Sequence, residues 1–169
     1  MSILDAAYLG DLSSVKRICD EGNEDVDKKN FWGETALMVA LIRRYYNIVQ
    51  ELCERGADLN AQARDGMSVL HLAVLCRDVR IVKYFCERGA DIEIKDNKGR
   101  TPLVTAVRHL ELYTVKYLCT RGAKVDVFRP NHEKIQEILT KQEFRWNVGM
   151  LLNEGVLTTD LLRVVHSWI

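Results

Sequence analysis

The chain has 169 residues, 47% of them hydrophobic and 28% charged, enough apolar content to bury a core and too much for wholesale disorder. Lys plus Arg and Asp plus Glu both total 24, so the formal charge is zero, which argues against a protein built to coat nucleic acid or anionic membrane. Two prolines and ten glycines disfavour a loop-rich or sandwich fold and leave helices open.

The first eleven residues have no basic segment leading into a long apolar one, so no secretory signal is expected. The longest uncharged apolar run, residues 36–42, stops at Arg43-Arg44 and is too short to span a bilayer. Five cysteines, an odd number, and the lack of any Asn-x-Ser/Thr sequence suit a reducing, intracellular, cytoplasmic setting.

A shift of 33 residues maps the chain onto itself. Gly33, Gly66 and Gly99 keep this spacing, as do Ala40, Ala73 and Ala106, and Gly56, Gly89 and Gly122. The phrase Glu54-Arg55-Gly56-Ala57-Asp58-Leu59 returns as Glu87-Arg88-Gly89-Ala90-Asp91-Ile92 and then as Thr120-Arg121-Gly122-Ala123-Lys124-Val125. The spacing predicts copies at about residues 1–30, 31–63, 64–96 and 97–129, then a degenerate one at 130–157.

In chain order, the first copy is one residue longer than the rest. Ala6 lies 34 before Ala40 and Cys19 lies 34 before Cys53, but Val26 lies 33 before Leu59, which places the extra residue between Gly22 and Val26. The third copy shows the physics of the unit. Ser68 caps a first helix whose Leu70 and Ala73 share a face, and a second amphipathic stretch fills residues 79–86. Gly89 then stands where a helix end favours positive φ. The repeated alanines must be small so that neighbouring helices approach closely. Helices this short cannot hide their apolar stripes alone, whereas stacked copies can. In the degenerate copy Gly155 falls 33 beyond Gly122 and Leu139 replaces the small Ala. Residues 158–168 read as a capping helix, with Thr158, Thr159 or Asp160 at its start and Leu161, Leu162, Val164 and Val165 to bury.

These residues resemble the ankyrin repeat. The family's Gly-x-Thr-Pro-Leu-His-x-Ala segment is matched as Gly33-Glu-Thr35-Ala-Leu37-Met-Val-Ala40, Gly66-Met-Ser68-Val-Leu70-His71-Leu-Ala73 and Gly99-Arg-Thr101-Pro102-Leu103-Val-Thr-Ala106. Only the third copy keeps the His and only the fourth keeps the Pro. The resemblance implies an all-α ankyrin-repeat solenoid of about five repeats plus a C-terminal capping helix, in one domain, with His71 hydrogen bonding between adjacent copies.

The resemblance also implies protein binding through hairpin tips and the concave ends of first helices. Those positions are Phe31, Trp32, Glu34, Ile42, Arg43 and Gln62 in the second copy, and Arg64, Asp65, Met67, Leu75, Cys76 and Lys95 in the third. In the fourth they are Asn97, Lys98, Arg100, Arg108, His109 and Phe128. Six of these eighteen are basic and two acidic, so the face is expected to be positive on a neutral chain. Binding is expected to rest on Phe31, Trp32, Arg43, Arg64, Met67, Leu75, Lys98, Arg100, Arg108 and His109, since aromatics and Arg dominate binding hot spots. The expected partner is a protein with an acidic surface, bound by a monomer acting as scaffold, adaptor or competitive inhibitor; a microbial or viral effector would use the same mode.

The remaining chemistry is sparse. Cys19, Cys53, Cys86 and Cys119 share one position in four copies, roughly 10 Å apart by helix packing, too far for zinc–sulfur bonds near ~2.3 Å. They read as small apolar residues, and no metal or cofactor is implied. A thiol or His site around Cys76 and His109 is the enzymatic alternative; it requires a depressed thiol pKa. No Ser-His-Asp order, phosphate loop or carboxylate pair stands out, so the protein reads as a non-enzyme, and nucleic-acid binding through six scattered cations is the weaker alternative. The final Ser167-Trp168-Ile169 fits the carboxylate motif that PDZ domains capture, unless a packed last helix withdraws it.

Overall fold

A computed structural model of the chain describes residues 1–124, so the degenerate copy, the capping helix, Phe128 and the C-terminal motif lie outside the described residues. Within them eight helices form four hairpins: α1 (Ile3–Leu9) with α2 (Leu12–Glu21), α3 (Ala36–Ile42) with α4 (Tyr46–Glu54), α5 (Val69–Leu75) with α6 (Val79–Glu87), and α7 (Pro102–Arg108) with α8 (Leu112–Thr120). The inner helices α3, α5 and α7 begin and end 33 residues apart, so the sequence period is the structural period.

Each inner helix starts at a hydroxyl residue. Ser2, Thr35, Ser68 and Thr101 hold the N-cap, and Pro102 takes the first helical position, where its missing N–H costs nothing. Thr35 and Thr101 accept from the Met38 and Val104 N–H groups at 3.4 and 3.3 Å. Ser68 behaves differently: its hydroxyl lies 3.0 Å from His71 Nδ1, and its N–H donates to the same nitrogen. Nδ1 is therefore an acceptor, which leaves Nε2–H to donate to the Arg100 carbonyl, 2.8 Å away in the next copy.

Ala6, Ala40, Ala73 and Ala106 are fully buried where successive inner helices meet. The inner row packs more closely than the outer row, and its helices have seven residues against nine or ten outside. That difference curves the stack toward the inner helices. Leu37, Leu70 and Leu103 from the inner row, with Ile48, Leu52, Phe85 and Leu118 from the outer, fill one continuous core.

The loops are stapled copy to copy. Asp27 Oδ1 accepts from Asp58 N–H, Asn60 Oδ1 from Asp91 N–H and Glu93 Oε1 from Lys124 N–H, each pair 31 residues apart. The longer loop of the first copy has its own use: Glu24 Oε2 accepts the Ile3 N–H at 2.8 Å and so covers the start of α1. On the opposite edge, the hairpin tips form a backbone ladder, with Arg64 N–H donating to Trp32 O at 2.9 Å and Asn97 N–H to Asp65 O at 3.0 Å. Gly33 permits the first contact, because a Cβ there would meet the Arg64 nitrogen at 2.8 Å.

Candidate functional site

Two features of each hairpin open on the same hollow: the tip that precedes an inner helix and the turn that follows it. The tips are folded by side-chain acceptors. Asn30 Oδ1 takes the N–H groups of Trp32 and Glu34, both at 2.9 Å, and Asp96 Oδ1 takes those of Lys98 and Arg100 at 2.9 and 2.8 Å. With their backbone held this way, residues 31–32 and 97–98 are turned outward.

At the first tip Phe31 is 72% and Trp32 63% exposed, their rings edge to face at 6.0 Å. Trp32 does not fold back onto the next hairpin. The Arg64 guanidinium lies 4.2 Å from the Phe31 ring centre, a cation–π contact that joins two successive tips. On the turn side, Tyr8, Ile42, Leu75 and Arg108 occupy one equivalent exposed position in four copies. Arg43 is exposed and sets its guanidinium 4.4 Å from the Tyr8 ring centre. Lys98 and His109 are exposed as well, while Met67 is half-buried.

Arg100, also expected on the binding face, is engaged within its own tip. It is half-buried and its Nε donates to Asp96 Oδ2 at 2.7 Å, with the carboxylate 1% exposed. Burial pushes the Asp96 carboxyl up, but the Arg100 guanidinium and the Arg100 and Lys98 N–H groups outweigh it and hold it below the usual Asp value. Arg100 is thus a clamp within its own tip. Gln62 is also engaged, donating to the Lys95 carbonyl at 2.8 Å.

Among the described residues, Arg43, Arg64, Lys98 and Arg108 have no ion pair. The outer side is mixed: Lys16 meets Glu51, Arg17 meets Glu21 and Arg55 bridges Asp20 and Glu51, while Lys83 lies over the Tyr117 ring without a carboxylate. The acids of the face are held locally. Glu34 accepts from Asn30 Nδ2 at 2.8 Å, and Asp65 Oδ1 accepts from Met67 N–H at 3.0 Å.

The thiols give no support to the enzymatic alternative. Cys76 is half-buried, its Sγ 3.8 Å from the Leu41 carbonyl, and burial pushes its pKa up, the reverse of what an activated nucleophile requires. Burial likewise raises Cys19, Cys53, Cys86 and Cys119; of these only Cys86 is buried and the others are half-buried. No group of three or more His, Cys, Asp or Glu among the described residues could hold a metal ion.

Sequence reasoning missed Tyr8 and Leu9, which are 55% and 64% exposed on the same face. The signal was present: they lie 34 residues before Ile42 and Arg43, the offset of the longer first copy.

Four equivalent hairpins with stapled loops, and free side chains along two edges of a hollow, define a helical repeat solenoid. The family model described as ankyrin repeats (3 copies) matches residues 3–96 and again 64–129. The chain belongs to the ankyrin-repeat family, whose members are generally protein–protein interaction modules and typically non-enzymatic. It is similar to Ankyrin repeat domain-containing protein 29 of Danio rerio, 44% identical over 57 residues, which is 34% of this chain and 19% of that protein. It is also similar to the Homo sapiens Mitochondrial disaggregase, 44% identical over 59 residues, or 35% of this chain and 8% of that protein. The Homo sapiens Ankyrin repeat domain-containing protein 29 is 40% identical over 57 residues, 34% of this chain and 19% of that protein. The chain therefore spans less than a fifth of each relative's length. No described helix is long and apolar enough to cross a membrane.

Proposed function

We propose that the hollow face binds a protein with an acidic surface, using Phe31 and Trp32 as an apolar anchor, and that the chain acts as a scaffold, adaptor or competitive inhibitor in a reducing intracellular compartment. The observation that carries this reading is the exposed Phe31–Trp32 pair at the first tip, on a face whose Arg43, Arg64, Lys98 and Arg108 have no ion pair among the described residues. Trp and Arg are the residue types that contribute most at protein interfaces. Free cations raise the encounter rate with an acidic partner and disfavour a basic one. The five cysteines are all free thiols, consistent with a reducing setting.

The test is affinity capture from the native source with wild-type protein and with a Trp32→Ala/Arg64→Glu double variant, both checked for helix content. Wild type should retain a partner that the variant releases, and raised salt should weaken the capture. Equal recovery of every partner by both proteins would discard this surface.

A further inference from the structure

Tips and turns are the two rims of one channel, and the inner helices between them are its floor. The tip rim exposes Trp32 and Arg64, and the turn rim exposes Tyr8, Ile42, Leu75 and Arg108. Each rim thus offers large apolar side chains together with cations that have no ion pair among the described residues. The two kinds are interleaved from the first hairpin onward, because Arg64 lies over Phe31 and Arg43 over Tyr8. The floor is different. Helices α3 and α5 contain no Asp, Glu, Lys or Arg, and in α7 only Arg108, at the rim end, is charged.

We infer that the channel takes an amphipathic α-helix of the partner, laid along the stack, with its apolar stripe toward the channel and carboxylates on both flanks of that stripe. This names the form of the partner in the protein-binding reading above and rests on it. Width is the first reason. A seven-residue inner helix is about 10 Å long, which sets the rims apart by the diameter of one α-helix with its side chains, about 10–12 Å. Period is the second. Copies follow one another at about 10 Å, the spacing of packed helices, and seven residues of α-helix advance about 10.5 Å. One side chain in seven therefore meets the same position of each successive copy. In an extended strand, residues facing one side recur at about 6.6 Å, and neither one nor two such steps matches a copy. Carboxylates on both flanks follow from cations on both rims, Arg64 on one and Arg43 and Arg108 on the other. A helix acidic on one flank alone would cover the opposite cations without pairing them.

The probe is a displayed library of random peptides about 20 residues long, enough helix for three steps between copies, selected on the full chain at physiological salt. The best enriched peptides are then measured by fluorescence anisotropy, each beside a version with proline at its centre. Proline should weaken binding by about a hundredfold, the ratio set by its penalty inside a helix. Alanine scanning of the peptide should find its sensitive apolar positions seven apart. Arg64→Glu and Arg108→Glu, checked for unchanged helix content, should each weaken binding and flatten its salt dependence. Tolerance of the central proline, sensitive positions at even spacing, or an effect confined to one rim would overturn the helical occupant; loss of binding in Trp32→Ala would then leave the binding face standing. Failure to enrich any peptide, or enriched peptides indifferent to Trp32→Ala and to both charge variants, would overturn both.

Discussion

His71 Nε2 donates to the Arg100 carbonyl at 2.8 Å while Nδ1 accepts from Ser68, so one imidazole ties an inner helix to the tip of the next copy. The ring is fully buried, and burial lowers its pKa, with the Arg100 carbonyl pulling the other way. The folded protein thus prefers neutral His71, and the unfolded chain takes up its proton first as the pH falls. The stabilisation is complete above the unfolded value of about 6.5 and is lost progressively below it. His71→Leu should cost about 1–3 kcal/mol at neutral pH, since it strands the Arg100 carbonyl and the Ser68 N–H. Thermal unfolding of both proteins between neutral and mildly acidic pH checks this: the difference should narrow with acidification, and parallel curves would contradict it.

Gly66 and Gly56 both have a φ of +81°, yet alanine should affect them unequally. Nothing lies within 4 Å of a Cβ at Gly56, so Gly56→Ala should cost only the left-handed backbone penalty of about 1–2 kcal/mol. At Gly66 a Cβ would overlap the Asn97 amide nitrogen and lie 2.9 Å from the Asp96 carbonyl carbon. Gly66→Ala should therefore add a packing cost of about 1–3 kcal/mol and open the tip ladder. Denaturant unfolding measures the gap; equal losses would show that the ladder yields without strain.

Thr105 is buried in α7 with its hydroxyl oxygen unpartnered among the described residues. Its equivalents are Val39 in α3 and Leu72 in α5, so the site accepts a branched apolar side chain in the same fold. Thr105→Val keeps the shape and removes the orphaned hydroxyl, and should stabilise the protein by about 1 kcal/mol. A lower unfolding midpoint in urea for the variant would refute that reading.

Much of the architecture was legible without coordinates because it depends on translation. Ala40, Ala73 and Ala106 recur at 33 because each must let the next helix approach, and all three are fully buried. Gly22, Gly56, Gly89 and Gly122 recur because the chain leaves each outer helix through a left-handed turn. The site was less legible. Its positions followed from the register, but Arg100 looked as free as Arg108 until Asp96 was found against it.

What the amino-acid order determined alone is the unit: a capped inner helix, an outer helix, a glycine exit, and the need to stack because neither helix can bury its stripe unaided. What only the tertiary structure decided is which exposed side chains remain available. Arg64 meets Phe31 and Arg43 meets Tyr8 across copies, at separations of 33 and 35 residues that local pattern does not weigh. A long cationic side chain has many rotamers of similar energy, and the neighbour supplied by the adjacent copy selects among them.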